Sequence, residues 1–418
     1  MLWPTKLIRY MCLKESDKVK ILHVGAHPSL NKVDGLNTTV WLVASEQAKI
    51  GHQVTLLFNS APDEAAMAFA EKTGMCLVTV PNLKYGKLIF NLYQNKLIEK
   101  LLQESNLDIV HMHNIFLPKQ ALLGKILSKY KIPYLITPHA LTPQFLQRNQ
   151  LKKQLYSFFV ERPRFMGAGA IVGVSPGEEK TIRKFVPRYE GKICSIFNAI
   201  NLAPGQETSP LWRWNPNKKH LVYLGRFDVW HKGIDILIAI AHHLPADVEL
   251  HLYGTGAGKN QEWLSQLKKQ LPHNVYFHAP VFDKEKAKVL SEAMLYIQTS
   301  RWEVFGLSIA ESMCLGVPCA IAETLCLSEI LRHNDLGLVL SSHPKQAASQ
   351  IIKIINRPEI LQYWSERGFR FAKANFAPFI VASQYLNLYK EILQKKRHHP
   401  VGKEGGETNY IERFNNTQ

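Results

Sequence analysis

Short apolar runs alternate with longer amphipathic stretches along most of the chain. Runs such as "DIVHMH", "PYLIT" and "AIVGVS" are separated by stretches with helical periodicity, of which "LNTTVWLVASEQAKIG" is an example. Apolar strands that alternate with helices are typical of a parallel sheet covered by helices on both faces. The pattern therefore predicts a doubly wound, Rossmann-like α/β domain.

The alternation stops once and then restarts. The segment "LAPGQETSPLWRWNPNKKH" is rich in proline, polar and charged residues, as linkers are. Strand-like runs then recur at "HLVYLGRF", "VELHLYG", "NVYFHAP", "LYIQTS" and "PCAIAE". Because 418 residues are too many for one ordinary core, we predict two similar domains. The predicted parts are an N-terminal extension (1–17), the first domain (18–200), a linker (201–217), the second domain (218–375), a C-terminal helix that packs back on the first domain (376–396) and a disordered tail (397–418).

Composition excludes several classes of protein. With 46% hydrophobic and 20% charged residues, the chain resembles a soluble globular protein and not a disordered one. No apolar run reaches the roughly 18–20 residues of a transmembrane helix, and the start "MLWPTKLIRYMCLKESDK" makes a poor signal peptide. The six cysteines form no Cys-x-x-Cys pair and no zinc-binding spacing. We therefore expect a cytoplasmic protein with reduced thiols.

The net charge of +17 is concentrated in the N-terminal half. Residues 1–200 contain 26 basic and 14 acidic side chains, a net +12, which leaves +5 for the remainder. Such an excess indicates an anionic partner, namely a phospholipid surface, nucleic acid or a phosphorylated substrate, although basicity also serves solubility alone. Segments 85–102 and 150–165 mix basic and aromatic residues. Each is either an interfacial helix that meets anionic lipid or an amphipathic helix with a solvated basic face.

Three strand-to-helix loops of the C-terminal half carry residues suited to phosphate. In "YLGRFDVWHKGID", Gly225 and Arg226 follow a strand and Lys232 precedes a helix, so two cations can neutralise a diphosphate, although a solvated loop has the same composition. The loop "YGTGAGKN" offers three glycines, which a tight turn explains equally well. The third loop lies within "SRWEVFGLSIAESMCLGVPC", where Gly306 allows the backbone to turn into a helix.

This third segment contains two glutamates, Glu303 and Glu311. Glu311 lies five residues beyond Gly306, or roughly 7–8 Å along a helix axis. That offset matches the reach from a phosphate to the ribose that carries it, and a carboxylate can accept hydrogen bonds from both ribose hydroxyls. Glu303, in the loop before the helix, would face the group beyond the phosphates. We interpret the pair as marking the two ends of one ligand.

Four segments in order resemble family 4 of the retaining glycosyltransferases. "EVFGLSIAE" resembles the E-x7-E signature, "GRFDVWHKG" the donor-phosphate motif, "DIVHMHN" with "PYLITPHA" the N-terminal strands, and "GLNTTVWLVASEQAKIGHQV" the first loop and helix. The resemblance extends over nearly the whole chain to about residue 390. It implies the GT-B fold, in which two Rossmann-like domains face each other across the active-site cleft.

The resemblance also implies the reaction and the residues that perform it. A hexose-type sugar would pass with retention from a nucleotide diphosphate sugar to a saccharide or lipid-linked acceptor, in cell-surface polysaccharide or glycolipid biosynthesis. His139 matches the active-site histidine, and Arg226 and Lys232 the basic positions beside the donor phosphates. The remaining implied contacts are Gly225, Phe305, Gly306 and Leu307 at the donor phosphates, Glu303 at the transferred sugar, Glu311 at the ribose, and Gly35 and Asn37 in the loop that faces acceptor or phosphate.

Lys and Arg can supply the positive charge that a divalent metal supplies elsewhere, so we expect no metal and no further cofactor. The basic N-terminal half, which would bind the acceptor, suggests peripheral contact with anionic lipid on the cytosolic face of the membrane. Two departures concern the sugar and the acceptor: the first loop keeps only Gly35 where many relatives have two glycines, and "TLCLSEIL" lacks the Gly-Gly that commonly precedes the equivalent of Glu329.

Two alternatives remain open from the sequence. A nucleotide-sugar epimerase of the same fold would turn over the donor without an acceptor. A non-catalytic binder of nucleotide sugars or of nucleic acid is the other. Against nucleic acid, the chain has no recognition-helix or RNA-binding signature, and the two glutamates would repel a phosphate backbone. Against an inactive binder, both Glu303 and His139 are present.

Overall fold

The computed structural model describes residues 18–31, 35–80, 92–147, 150–201, 208–256, 259–267 and 271–398. The predicted N-terminal extension (1–17) lies outside these residues. So does the predicted disordered tail, except for its first two residues, 397 and 398, which belong to the last helix. Within the described residues, no helix is both long and apolar enough to cross a membrane.

The first domain is built on a parallel sheet with the strand order β3-β2-β1-β4-β5-β6-β7. Its strands are β1 (Lys20–Val24), β2 (Gln53–Phe58), β3 (Cys76–Thr79), β4 (Ile109–His113), β5 (Tyr134–Thr137), β6 (Ala170–Gly173) and β7 (Lys192–Ser195). Its helices are α1 (Gly35–Ile50), α2 (Glu64–Thr73), α3 (Leu92–Ser105), α4 (Pro118–Lys129), α5 (Pro143–Gln147), α6 (Gln150–Tyr156), α7 (Arg162–Met166) and α8 (Pro176–Phe185).

The second domain repeats this plan with the strand order β10-β9-β8-β11-β12-β13. Its strands are β8 (His220–Leu224), β9 (Glu249–Tyr253), β10 (Val275–His278), β11 (Leu295–Gln298), β12 (Cys319–Ala322) and β13 (Gly337–Leu340). The helices are α9 (Val229–Lys232), α10 (Ile234–Ala241), α11 (Lys259–Leu267), α12 (Asp283–Ser291), α13 (Leu307–Cys314), α14 (Ser328–Asn334), α15 (Pro344–Ile355), α16 (Pro358–Phe376) and α17 (Pro378–His398).

The apolar strands explain both sheets. All five residues of β4 and all four of β5 and β11 are buried, because helices cover both faces, and every described strand pair is parallel. The strand order reverses between β1 and β4 and between β8 and β11. A crevice opens at the carboxyl ends of the strands at such a switch point. The predicted class, two Rossmann-like α/β domains, is confirmed.

The two last helices connect the domains. Helix α16 packs on α13 and α15 of the second domain, whereas α17 packs on α1 of the first. Tyr385 and Tyr389 of α17 are buried in the core of the first domain. The described part of the predicted linker, 208–217, contains no helix or strand, and its Trp212 is buried with the indole N–H donating to Ala293 O at 2.7 Å.

Three elements differ from the sequence patterns. Strand β13 is short and went unpredicted. After β9, the sequence patterns suggest a helix near 262–271, whereas the helix begins at Lys259 and is described to Leu267. The helix expected over 150–165 is divided by a π-helical turn, Ser157–Glu161, where Arg162 N–H bonds Ser157 O. Pro163 follows and has no N–H for the usual bond four residues back, so the turn widens there.

Candidate active site

A cavity of about 420 Å³ lies between the two domains. Gly35, Leu36, His139 and Asn198 line it from the first domain. The second domain contributes Leu224, Gly225, Arg226, His231, Lys232, Gln298, Glu303, Val304, Phe305, Gly306, Leu307 and Ser308. These residues come from strand ends, loops and short helices at the carboxyl edges of the two parallel sheets, where the sheet topology predicts a ligand site.

Most of the residues singled out from the sequence thus line one cavity. They are Gly35, His139, Gly225, Arg226, Lys232, Glu303, Phe305, Gly306 and Leu307. Two others are not part of its lining. Asn37 is buried in α1, where Oδ1 accepts from His27 N–H and Nδ2 donates to Ser29 O, both at 2.8 Å, so it shapes the β1–α1 loop.

Glu311 lies in the second turn of α13 and pairs with a lysine that was not singled out from the sequence patterns. Lys286 Nζ of α12 is 2.7 Å from Glu311 Oε1, and each side chain is about 30% exposed. A bound ribose would have to compete with, or share, this exposed ion pair. The carboxylate remains reachable because such pairs are weak.

Glu303 is held by three donors that all bond the same carboxylate oxygen. Oε1 accepts from Lys232 Nζ at 2.5 Å, Gln298 Nε2 at 2.8 Å and Ser300 Oγ at 2.9 Å. The side chain is only 11% exposed. Tyr296 in turn donates to Gln298 Oε1 at 2.6 Å. With Oε1 fully engaged, Oε2 is the oxygen that remains for a ligand hydroxyl in this cavity.

Hydrogen bonds hold the loop and short helix between Arg226 and Lys232 in position. Asp228 begins α9 and accepts from His231 N–H at 2.9 Å. Arg301, in the loop before α13, reaches back to bond both oxygens of Asp235 at 3.0 and 2.6 Å, and it also bonds the carbonyl of Val229. This clasp keeps α9 beside the Glu303 loop. A bidentate Arg–carboxylate pair fixes orientation as well as distance.

Arg226 and Lys232 differ in their surroundings. Lys232 is 16% exposed and committed to Glu303. Arg226 is exposed at the cavity and has no ion-pair partner among the residues that the structure describes. Its backbone carbonyl accepts from the buried Tyr223 hydroxyl at 3.0 Å, which fixes the turn that presents it. An exposed guanidinium with unused donors is suited to binding an anionic oxygen group.

The start of α13 adds backbone donors to the same wall. Gly306 has φ +88°, a conformation that glycine adopts without strain, and it lets the chain turn sharply into the helix. The bonds that start the helix are those of Ile309 and Ala310 to Gly306 O, so the N–H groups before them face outward at Leu307 and Ser308. The helix dipole makes this end attractive to anions.

The first domain closes over this helix start. A Cβ on Gly35 would overlap the Leu307 side chain, so the start of α1 and the start of α13 lie in close contact there. The two domains therefore meet at the residues expected to face the donor.

His139 stands at the opposite wall in an unusual backbone conformation, with φ +59°. Burial lowers its pKa to about 3, and the neighbouring Asn198 side chain opposes that shift, so the ring is neutral near pH 7. Nε2 lies 3.1 Å from His113 Nδ1. Within the described residues, His139 Nδ1 and Asn198 Oδ1 are buried and have no hydrogen-bond partner. Two unsatisfied polar atoms facing a cavity indicate a ligand with hydroxyls.

Glu178 supports the His139 loop from below. Its carboxylate accepts from Leu141 N–H and Val174 N–H, both at 2.8 Å, and burial raises its pKa to about 7. Nothing in the sequence pattern distinguishes this residue from the adjacent Glu179. Asn198, Gln298 and His231 were likewise missed, because each lies in an ordinary-looking strand or loop. His231 stacks on Trp302 at 4.6 Å between ring centroids, which fixes the loop before α13 against α9.

Two clusters in the described chain have the composition of metal sites. His23, His111 and His113 form one, but both nitrogens of each ring are already hydrogen-bonded to protein groups. His220, Glu249 and His251 form the other, at the amino ends of β8 and β9, whereas the cavity lies at the carboxyl ends. Neither cluster belongs to the lining of the cavity.

Comparison with known families gives two adjacent matches. Glycosyltransferase Family 4 matches residues 33–204, and Glycosyl transferases group 1 matches residues 206–371. Each match covers one of the two domains, and together they span most of the chain. The chain belongs to glycosyltransferase family 4. The family suggested by the four motifs is confirmed, and the protein is a glycosyltransferase.

Individual relatives are distant but cover the chain well. The family 4 glycosyltransferase is 25% identical over 361 residues to the phosphatidyl-myo-inositol mannosyltransferase of Propionibacterium freudenreichii subsp. shermanii, covering 81% of this chain and 86% of that protein. Among solved structures, sucrose-phosphate synthase from Thermosynechococcus elongatus superposes with a TM-score of 0.69 at 19% identity, covering 90% of this chain and all of the other. Anabaena HepE in complex with UDP and glucose gives 0.68 at 17% identity, covering 89% and 100%. These superpositions confirm the GT-B fold.

Proposed function

We propose that this enzyme transfers a hexose-type sugar from a nucleotide diphosphate sugar, with retention at the anomeric carbon, to a saccharide or lipid-linked acceptor. The observation that carries the proposal is the convergence of Glu303, Lys232, the start of α13 and His139 on one cavity between the domains. The Anabaena structure contains UDP and glucose, and the Propionibacterium relative is named a phosphatidyl-myo-inositol mannosyltransferase. Cell-surface polysaccharide or glycolipid biosynthesis is the corresponding role.

The charges in the cavity suit departure of a nucleoside diphosphate. Breaking the bond between sugar and phosphate builds negative charge on the diphosphate and positive charge on the sugar. Arg226, Lys232 and the backbone N–H groups at the start of α13 lie where the negative charge would develop. Because these groups are cationic or dipolar and already in position, we propose that the reaction needs no divalent metal.

The two glutamates would then bind opposite ends of the donor. Glu303 Oε2 would accept from hydroxyls of the transferred sugar, while Lys232 on Oε1 keeps the carboxylate oriented. Glu311 would accept from the ribose, with Lys286 giving up part of its ion pair. His139 would contact the sugar from the first domain. It is not assigned as the base, since the departing phosphate can take the proton of the acceptor hydroxyl.

A thermal-shift screen tests this proposal. We expect one nucleotide sugar, at about 100 times its Kd, to stabilise the protein by about 2.7 kcal/mol, with and without EDTA. Glu311→Ala should weaken that donor about tenfold or more, since hydrogen bonds to a charged group contribute roughly 1.5–3 kcal/mol. The matched control is Glu292→Ala, which removes a similarly exposed ion pair with Lys218 far from the cavity. If no donor stabilised the protein, or if stabilisation required a metal, the proposal would be contradicted. The anomeric configuration of the product, determined by NMR, tests retention.

We further propose that the first domain contacts anionic membrane on the cytosolic side. Helix α6 and the π-helical turn expose four large apolar side chains, namely Leu151 (72%), Leu155 (55%), Phe158 (52%) and Phe159 (69%). They surround an apolar groove of about 550 Å³ that also includes Arg162. Exposed apolar clusters of this kind mark interaction sites, and the basic residues of this half would attract anionic lipid. Segment 85–91, predicted to behave similarly, lies outside the described residues.

Liposome flotation tests the membrane contact. The protein should float with vesicles containing phosphatidylglycerol and much less with phosphatidylcholine alone. The double substitution Phe158→Ser and Phe159→Ser should lower partitioning about tenfold or more, because each buried phenyl ring contributes roughly 1.5–3 kcal/mol when fully removed from water. Tyr363→Ser, at an aromatic residue 45% exposed on α16, is the control. Equal binding to both vesicle types, or no effect of the double substitution, would refute this surface.

A further inference from the structure

A chain of buried hydrogen bonds runs from His139 into the core of the first domain. His139 Nε2 lies 3.1 Å from His113 Nδ1, and His113 Nε2 lies 3.0 Å from His23 Nδ1. His23 Nε2 lies 2.8 Å from Gln47 Oε1 in α1. His23 and His113 are 0% and 2% exposed, and Gln47 is 0% exposed. The chain consists of direct contacts between these side chains, so each bond constrains the next.

The three rings must be neutral for all the hydrogen bonds of this chain to run from donor to acceptor in the same direction. Burial lowers the pKa of His23 to about 4 and that of His113 well below its usual range, with neighbouring histidines adding to the shift. A neutral imidazole has one N–H and one bare nitrogen. In a row of neutral rings, the state of the first nitrogen therefore decides the state of every other one.

Gln47 stands at the inner end and selects the direction. Its carbonyl oxygen accepts from His23 Nε2–H, which leaves His23 Nδ1 bare to accept from His113 Nε2–H. His113 Nδ1 is then bare and accepts from His139 Nε2–H. His139 Nδ1 is left without a proton at the cavity. The Gln47 amide nitrogen is directed to the hydroxyl of Tyr389 on α17, at 3.4 Å.

The reversed direction makes a different prediction at the cavity. If Gln47 presented its NH2 group to His23, each of the three rings would carry its proton on the other ring nitrogen. His139 would then have Nδ1–H beside Asn198. That hydrogen would be expected to bond Asn198 Oδ1. Instead, His139 Nδ1 and Asn198 Oδ1 form no hydrogen bond of normal geometry with each other or with another described group, although the Asn198 side chain is close enough to raise the pKa of His139 against the effect of burial. Two adjacent bare acceptors match a ligand that offers two hydroxyl donors.

We propose that Gln47, His23 and His113 are positioning residues that fix His139 as its Nε2–H tautomer, so that His139 Nδ1 and Asn198 Oδ1 together accept hydrogen bonds from hydroxyls of the bound sugar. This inference rests on the proposed function only for the identity of the ligand. The tautomer itself is a property of the free protein. The reversed tautomer would bond Asn198 internally and remove both acceptors from the sugar.

The tautomer is measured directly by NMR of the full chain labelled with 15N-histidine. Ring nitrogen shifts and couplings distinguish bare from protonated nitrogens, and His139→Ala identifies the His139 signals. We expect a bare Nδ1 and a protonated Nε2 in the wild type. In Gln47→Leu, which removes the inner acceptor, the His139 signals should show a mixture of tautomers. Protonated Nδ1 in the wild type would overturn the proposal, whether or not any donor has been found.

The consequence for the substrate is measured with donors that each lack one sugar hydroxyl. In the wild type, at least one such donor should lose about three- to tenfold in kcat/KM, as expected for one neutral hydrogen bond. Gln47→Leu should lose activity with the intact donor but discriminate less against that same analogue. Gln47→Glu keeps an acceptor for His23 and should restore the discrimination. Unchanged discrimination in Gln47→Leu would contradict the proposal that the hydrogen-bond chain positions His139. Absence of any usable donor would contradict the proposed function. The NMR result would then decide by itself whether the hydrogen-bond chain fixes the His139 tautomer.

Discussion

Replacing Lys232 with methionine is expected to lower kcat/KM for sugar transfer by about 100- to 1000-fold, the range seen when one donor to a developing anion is removed. Methionine keeps the length of the side chain but removes the charge. Two effects combine. The departing diphosphate loses a cation, and Glu303 Oε1 keeps only the neutral donors Gln298 and Ser300. Steady-state kinetics with the donor found by thermal shift provides the measurement.

Two controls separate the charge from the position. Lys232→Arg retains the charge and should recover part of the activity, although the guanidinium differs in shape from the ammonium at a pair only 2.5 Å long. Lys218→Met removes an exposed lysine that pairs with Glu292 at 2.9 Å and should leave kcat/KM unchanged. A decrease of less than about fivefold in Lys232→Met would show that Lys232 does not stabilise the leaving group.

Replacing Arg164 with methionine is expected to destabilise the protein by about 3–5 kcal/mol, because it leaves the buried carboxylate of Glu161 without its ion-pair partner. The Arg164 and Glu161 side chains are both 0% exposed, and Arg164 Nη2 lies 2.7 Å from Glu161 Oε2. Burial raises the pKa of Glu161 and the adjacent Arg164 opposes that shift, so the cation is what keeps the carboxylate ionised. Urea unfolding followed by circular dichroism measures the loss.

The same ion pair shapes the backbone after β4. Arg164 donates to Asn114 O at 3.1 Å and Glu161 accepts from Phe116 N–H at 3.0 Å. Asn114 and Phe116 have φ of +87° and +60°, which costs energy for residues other than glycine. The pair therefore stabilises a strained loop as well as itself.

A double substitution distinguishes the stranded charge from lost packing. Arg164→Met combined with Glu161→Leu should recover much of the lost stability, since replacing both members of a buried pair by apolar residues is often close to neutral. Arg183→Met, at a pair with Glu179 that is 55% and 25% exposed, should change the unfolding free energy by less than about 1 kcal/mol. If Arg164→Met and Arg183→Met lowered the unfolding free energy equally, burial would not explain the effect at Arg164.

The alternation of apolar runs and helices was sufficient to predict both domains. Strands β4, β5 and β11 are buried from end to end, so their composition alone distinguishes a parallel, two-sided sheet. The donor loops were also readable, because Glu303 and Gly306 lie within a few residues of a strand end and a helix start. Local patterns failed at β13, which is short, and at the π-helical turn before Pro163, which depends on one missing N–H group.

What the sequence by itself determined is thus the architecture and several segments that line the cavity between the domains, since both depend on neighbours along the chain. Only the tertiary structure decided which side chains meet. It brought His139 and Asn198 opposite Glu303, gave Glu311 its partner Lys286, and joined Gln47, His23 and His113 in one buried chain. Residues from different strands and domains become neighbours only through sheet register and domain packing. The protonation of His139 is decided there too, because it depends on burial and on a partner 24 residues from His23 along the chain.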